Sequence, residues 1–402
     1  MANGSPHRHH FFFFQKQLSS LFWATILRTS ALSIIGIFSS VYLFSIASQW
    51  TFLPMLTSLQ RGLLSIAIYV IVLRIVTLFL SFPVARLGKH IGVSGMVVIG
   101  NLALIGQYFA SVMFKTHPIF LILVGVFSGL EIAFYWPAFR TLFSVQADFK
   151  HMGRDVGAFQ FILTLLNGLL PALSGLLILN TSFSIAFGVG IVFVIASTLP
   201  ILMMRSPAVS GDQSFKGYVH WLKSAGNRTI TLATWGRYIE ESFIDIWFIY
   251  IFLNLKSIDR MGFIVSMAFF ISLIVDYLVG WYIDHKRSMR PFIFGSLLMV
   301  FAWILRFTAK GVGSILSVEV LDKIAVALTL PTFDAIVFAM GKHASDVYTF
   351  HTYREYSYSI FSIIVWIIAM IVILFIPVPW PFFFGASIVG ICVSLVLARV
   401  RL

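Results

Sequence analysis

The sequence predicts an all-α membrane protein with twelve transmembrane helices in two pseudo-symmetric six-helix bundles. Three observations predict it: apolar blocks long enough to cross a bilayer, a shortage of charge, and a one-sided distribution of Lys and Arg. Hydrophobic residues make up 59% of the 402 and charged residues only 11%, where an ordinary globular domain carries about 25% charged residues. A water-soluble chain this apolar could not cover its surface with polar groups. Its apolar residues instead fall into blocks that match the ~20 residues a helix needs to cross a membrane. Ten Trp and thirteen Tyr are available as interfacial anchors.

The spans are placed near 21–46, 62–83, 92–114, 118–143, 156–179, 182–204, 229–254, 261–283, 291–309, 313–340, 353–377 and 380–399. Residues 1–20 form a tail. His7, Arg8, His9 and His10 precede Phe11 to Phe14, but the polar stretch from Gln15 interrupts the apolar run, so this is no cleavable signal. The longest non-apolar stretch, 205–228, separates a bundle at 21–204 from one at 229–402.

With both termini on one side, that side holds seventeen Lys and Arg and the other five, with six inside spans. The bias places both termini in the cytoplasm of a multi-pass protein, expected in the plasma (inner) membrane. We call the richer side the basic end. The same spread over short connections accounts for the net charge of +13 and excludes a nucleic-acid partner. Cys392 is the sole cysteine and sits in an apolar block. It excludes an intrachain disulfide and argues against a cysteine metal site.

Weak internal repetition supports the two halves. Pro137-Ala138-Phe139 in span 4 is matched by Pro331-Thr332-Phe333 in span 10. Arg28 followed by Tyr42-Leu43-Phe44 in span 1 is matched by Arg237 followed by Tyr250-Ile251-Phe252 in span 7.

After span 8 the chain reads Gly280-Trp281-Tyr282-Ile283-Asp284-His285-Lys286-Arg287. This resembles the G-x-x-x-D-[RK]-x-[GRK] loop signature of the major facilitator superfamily. The matching segment after span 2 keeps Arg86, Gly88 and Lys89 but has Ser81 for the first Gly and Ala85 for the Asp. Gly153-Arg154-Asp155 is similar to another loop of the family, and Glu131 to Arg140 is similar to span 4 of some prokaryotic members. Pro171-Ala172-Leu173-Ser174-Gly175 in span 5 is a degraded form of the family's G-P-x-x-G-G antiporter signature. The resemblance covers the whole chain in span count and loop placement. It implies parallel six-helix repeats, a midplane site between spans 1, 4, 7 and 10, alternating access, and a monomer. Gly280, Asp284, Lys286 and Arg287, with Arg86, Gly88 and Lys89, would then form cytoplasmic gating loops.

Charge inside spans points to the site, because an ionisable residue in the bilayer usually faces a cavity or a partner. Arg28, Glu131, the group Arg237, Glu240, Glu241 and Asp245, and the group Glu319, Asp322 and Lys323 lie on spans 1, 4, 7 and 10. Arg237, Glu241 and Asp245 are four residues apart and share a helical stripe, on which Arg237 can neutralise Glu241. Asp245 then lacks a local partner. Glu319 and Lys323 form a second such pair. Two readings stand for these clusters: mutual neutralisation that fixes helix packing, or acids that carry a coupling proton. Glu131, Glu241, Asp245 and Asp322 are the coupling candidates. Arg28, Tyr135, Trp136, Arg237, Glu240, Trp247, Glu319 and Lys323 are the substrate-cavity candidates, with packing the bland alternative for the aromatics. Arg306 is read as snorkelling from the outer end of span 9, Arg74 as held by a structural partner, and Arg354 with Glu355 as a gate contact.

His90, His117, His151, His220, His285, His343 and His351 all fall at loops or span ends, and no His-Glu-x-x-His, Walker or G-x-S-x-G motif is present. The reading is a transporter, not an enzyme, with no cofactor or metal. Its partners are a small organic solute, a proton and membrane lipid. Export is preferred on the degraded span 5 motif. Nutrient uptake is the nearest alternative, and a non-transporting sensor or a lipid scramblase is the alternative of another class.

Overall fold

The computed structural model describes residues 16–146, 152–204, 206, 212–286 and 289–399. These form α1 (Lys16–Ala47), α2 (Ser58–Met113), α3 (Ile119–Gln146), α4 (Met152–Asn180), α5 (Phe183–Leu202), α6 (Phe215–Trp221), α7 (Ala225–Leu255), α8 (Ile258–Lys286), α9 (Arg290–Arg306), α10 (Val312–His343), α11 (Val347–Phe375) and α12 (Trp380–Ser394). A 3-10 turn, Leu395–Arg399, continues α12. No strand occurs among the described residues.

Nine of these helices are long and apolar enough to cross a membrane. One of them, α2, runs for 56 residues, about 84 Å at 1.5 Å per residue, enough for two crossings. The charged α7 and the 17-residue α9 complete twelve. The outer faces are apolar. On α5, Val192, Ile195, Leu199 and Leu202 are exposed at helical spacing, a stripe suited to lipid rather than water.

The expected connection between spans 2 and 3 is corrected. The chain stays helical through Pro83, Arg86, Gly88 and Lys89 and turns only at Gly92, whose φ is 69°. Glycine occupies left-handed backbone without a Cβ penalty. A Cβ there would also lie 2.4 Å from Ser206 Oγ, which accepts from Ser94 N at 3.2 Å. Pro83 lies where the expected span ends, and its single missing N–H does not stop a helix held by its neighbours. Likewise Gly280, Asp284 and Lys286 lie on α8 rather than in a loop. Their side chains, those of Arg154 and Asp155, and all of Arg287 lie outside the described residues. The 205–228 connection contains the short α6, and α7 begins at Ala225.

Local signals set the other ends. Thr57 and Gln60 form a capping box on α2, Asp346 caps α11 through Thr349 N at 3.1 Å, and Pro residues open α9 and α12. Within the first half α2 packs on α3 and α1 on α5; within the second, α9 packs on α10 and α7 on α12. The halves meet along α4 with α8 and along α2 with α11. Gly236 and Gly390 let α7 and α12 touch backbone to backbone, since a Cβ on Gly236 would lie 2.4 Å from Gly390 O. Close approach through small residues is how membrane helices gain dispersion contacts without a hydrophobic driving force. Gly236→Ala is expected to cost about 1–3 kcal/mol by overpacking, read as a lower unfolding temperature of the detergent-purified protein.

Candidate substrate and coupling site

A cavity of about 240 Å³ opens between α1, α2, α3 and α7. Glu131 on α3 and Asp245 on α7 are the charged residues in its wall. Glu131 is twelve residues from the start of α3 and Asp245 ten from the end of α7. Both therefore lie roughly 15–18 Å below the end opposite the basic one, near mid-bilayer. Tyr69, Tyr108 and Trp136 give the wall its aromatic part, and the Tyr69 hydroxyl lies 3.2 Å from Ser128 Oγ. Asp245 is the one second-half residue of this wall.

The two acids differ in their surroundings. Glu131 accepts from the Arg28 guanidinium, which also donates to Asn101 Oδ1. Arg28 lies over the Tyr135 ring, 3.4 Å from its centroid. Asn101 extends the chain by donating to Thr198 Oγ1 at 3.0 Å and Ser197 Oγ at 3.2 Å. One network thus ties α1, α2, α3 and α5 around the cavity floor. Asp245 is half-buried and, among the described residues, has no ion pair or hydrogen bond. This agrees with the partner it lacked on the α7 stripe. Arg237 is spent on Glu241, Nε to Oε1 at 2.9 Å, and reaches Thr329 Oγ1 at 3.4 Å. Glu241 also accepts from the Tyr358 hydroxyl at 3.5 Å. Glu240 is buried on the neighbouring face of α7.

Trp247, Glu319, Asp322 and Lys323 stand outside the cavity wall, in a second buried network. Lys323 Nζ lies 3.7 Å from Glu319 and 3.4 Å from Asp322. Trp247 Nε1 donates to Glu319. The centre of the network is Arg306, which corrects its reading as a snorkelling residue. It is fully buried, 3.0 Å from Asp322 and 3.9 Å from Glu319, with its guanidinium 3.7 Å from the Trp303 ring centroid. Two cations and two anions balance inside the second bundle. No sequence signal separates a snorkelling arginine at a helix end from a buried one. The partner acids on α10 decide it.

The halves are tied at both ends. Toward the basic end, Glu355 on α11 takes Arg74 of α2 at 3.1 Å and Arg140 of α3 at 2.9 Å. Ser144 Oγ lies 3.2 Å from Nε2 of the fully buried His351, so this histidine near the start of α11 is buried in the contact between halves rather than exposed at the span end. Phe143 packs against Phe338, with ring centroids 4.8 Å apart and the rings tilted by 37°. Lys89 reaches Asp212 of the central connection at 2.9 Å. Its carboxylate comes from there because Ala85, buried, stands where the signature has Asp. Arg86 is exposed and Gly88 buried. At the opposite end Gln60 Nε2 donates to Ile373 O at 2.8 Å. Along α4 and α8, the degraded span 5 signature makes the contact: a Cβ on Gly262 would lie 2.4 Å from Pro171 O, and one on Gly175 3.1 Å from the backbone at Asp259.

Removing one member of a buried ion pair leaves an uncompensated charge. Arg306→Met is therefore expected to cost about 3–5 kcal/mol, and adding Asp322→Leu should recover part of the loss in a thermal unfolding series. Glu355→Gln leaves Arg74 and Arg140 without their shared acid. Faster amide exchange is expected in the basic-end turns of α3 and α11, with the opposite ends unchanged.

The family model described as Major Facilitator Superfamily matches residues 32–353. The fold is similar to the crystal structure of the human organic anion transporter MFSD10 (TETRAN), with a TM-score of 0.66 and 11% sequence identity over 94% of this chain and 99% of that one. No curated protein matches the sequence. The twelve-crossing helical architecture and a family match over most of the chain lead to one assignment: the chain belongs to the Major Facilitator Superfamily, a family of membrane transporters rather than enzymes.

Proposed function

We propose that this protein moves a small organic solute by alternating access and couples the movement to protons at Asp245. The observation that carries the reading is a mid-membrane carboxylate, contributed by the second half, in the wall of a cavity otherwise built by the first. An acid so placed gains or loses a proton according to which side the cavity opens to and what occupies it. Glu131 is tied to Arg28 and Glu241 to Arg237, so Asp245 precedes both as the coupling group. Arg28 and Glu131 hold the cavity floor, while Tyr69, Tyr108 and Trp136 offer surfaces for an organic body.

The transport cycle is a rocking of the two halves about this cavity. The Glu355 clamp with Arg74 and Arg140 serves as the basic-end gate, the cytoplasmic one on the Lys and Arg bias. The Gln60 contact serves as the opposite gate. Export in exchange for protons is the preferred direction, supported by the placement of Pro171 and Gly175 at the packed seam between the halves. The solved transporter of similar fold is named for organic anions. Both charged residues in this cavity wall are acids, so that substrate is not carried over.

The test is solute-driven proton flux in liposomes holding the purified protein, under an imposed pH gradient and across a panel of neutral and charged solutes. Wild type should show flux with a subset of solutes. Asp245→Asn should lose the solute-driven proton flux. Solute movement indifferent to the gradient in wild type would overturn proton coupling.

A further inference from the structure

The charge balance of the cavity goes one step beyond a coupled transporter and names its substrate class. Glu131 and Asp245 are the charges in the wall. The first is neutralised by Arg28, whose guanidinium is also engaged by Asn101 and lies over Tyr135. The other cations nearby are engaged elsewhere: Arg74 shares Glu355 with Arg140, and Arg237 pairs with Glu241. Asp245 has no such partner among the described residues, and Tyr69 is the titratable group it interacts with across the cavity. An ionised Asp245 therefore leaves the cavity wall with one carboxylate that no ion pair balances, in a setting where an unpaired ion is costly. An occupant that balances it must be a cation.

The rest of the wall describes the remainder of that cation. Tyr69, Tyr108 and Trp136 line the wall together with the two acids, and aromatic rings attract a positive group most strongly when both are withdrawn from water. The hydroxyl-bearing side is thin: Ser39, Ser40 and Ser128, with Gln107, are the remaining polar residues. A cavity of about 240 Å³ lies just below the usual size of small-molecule sites, which limits the occupant to a small one. We infer that the substrate is a small monovalent organic cation with an apolar or aromatic body, seated with its charged nitrogen at Asp245 and its body against Tyr69, Tyr108 and Trp136. The inference rests on the transporter reading above and assigns its site a ligand. Proton and organic cation would then compete for one carboxylate, which gives exchange a physical basis.

Three matched probes test it by calorimetric binding to the detergent-purified protein: benzyltrimethylammonium, its neutral carbon analogue neopentylbenzene, and phenylacetate. The cation should bind and the other two should not. Asp245→Asn should weaken the cation by about tenfold or more, the loss of one buried ionic contact, while Asp245→Glu should keep most of the affinity. Asp245→Glu, together with unchanged unfolding temperatures, guards against a mere folding defect. The affinity of the wild type should fall as the pH is lowered, and that of Asp245→Asn should not. Equal binding of cation and neutral analogue, preference for phenylacetate, or an Asp245→Asn variant that binds like wild type would each overturn the inference. The transporter reading fails separately: a neutral or anionic solute that drives proton flux in liposomes would keep it and sink the cation, whereas cation binding without any flux would do the reverse.

Discussion

Burying charge in a membrane-embedded bundle is the constraint on which the rest of this structure depends. An ion out of water costs several kcal/mol unless a partner and hydrogen bonds compensate it. The chain meets that cost in three places. Arg28 with Glu131 and Asn101 ties the first bundle. Arg306 with Asp322, Glu319 and Lys323 ties the second. Glu355 with Arg74 and Arg140 ties the two together. Each network crosses from one helix to another, so each fixes relative helix position as well as charge.

The three networks differ in what their rupture would do. The two inside bundles join helices of one half, and the second is fully enclosed. The clamp at Glu355 joins the halves near one end of the bundle, where opening has to occur if the cavity is to reach that side. A single acid shared between two arginines of the other half can be released as a unit. Water entering the gap would solvate all three groups as it did so, which keeps the transition affordable compared with opening a dry ion pair.

Against this background Asp245 stands apart as the carboxylate in the cavity wall for which no ion pair is found among the described residues. Helix packing could have hidden it against α12, as it hides Trp247 two residues later. The register of α7 turns it instead into the cavity, with Tyr69 opposite. Packing at Gly236 and Gly390 sets that register, since backbone contact with α12 fixes which face of α7 looks outward.

The sequence by itself determined the class of the protein. Apolar blocks of bilayer length and the spacing of Lys and Arg require helices, because only helices or closed barrels satisfy the backbone in lipid. The i, i+4 spacing on α7 already paired Arg237 with Glu241 and left Asp245 alone, because such pairing is local to one helix. Distance in the chain hid the rest. Arg74 and Glu355 are 281 residues apart, and Arg28 and Glu131 103 apart. The fate of Arg306 hung on acids of the next helix, and the turn expected at Pro83 waited until Gly92 because neighbouring helices supported the proline. Only the tertiary structure decided which charges meet and which one faces the cavity. Those are properties of helix rotation and depth, and close packing between helices sets them rather than anything within a single span.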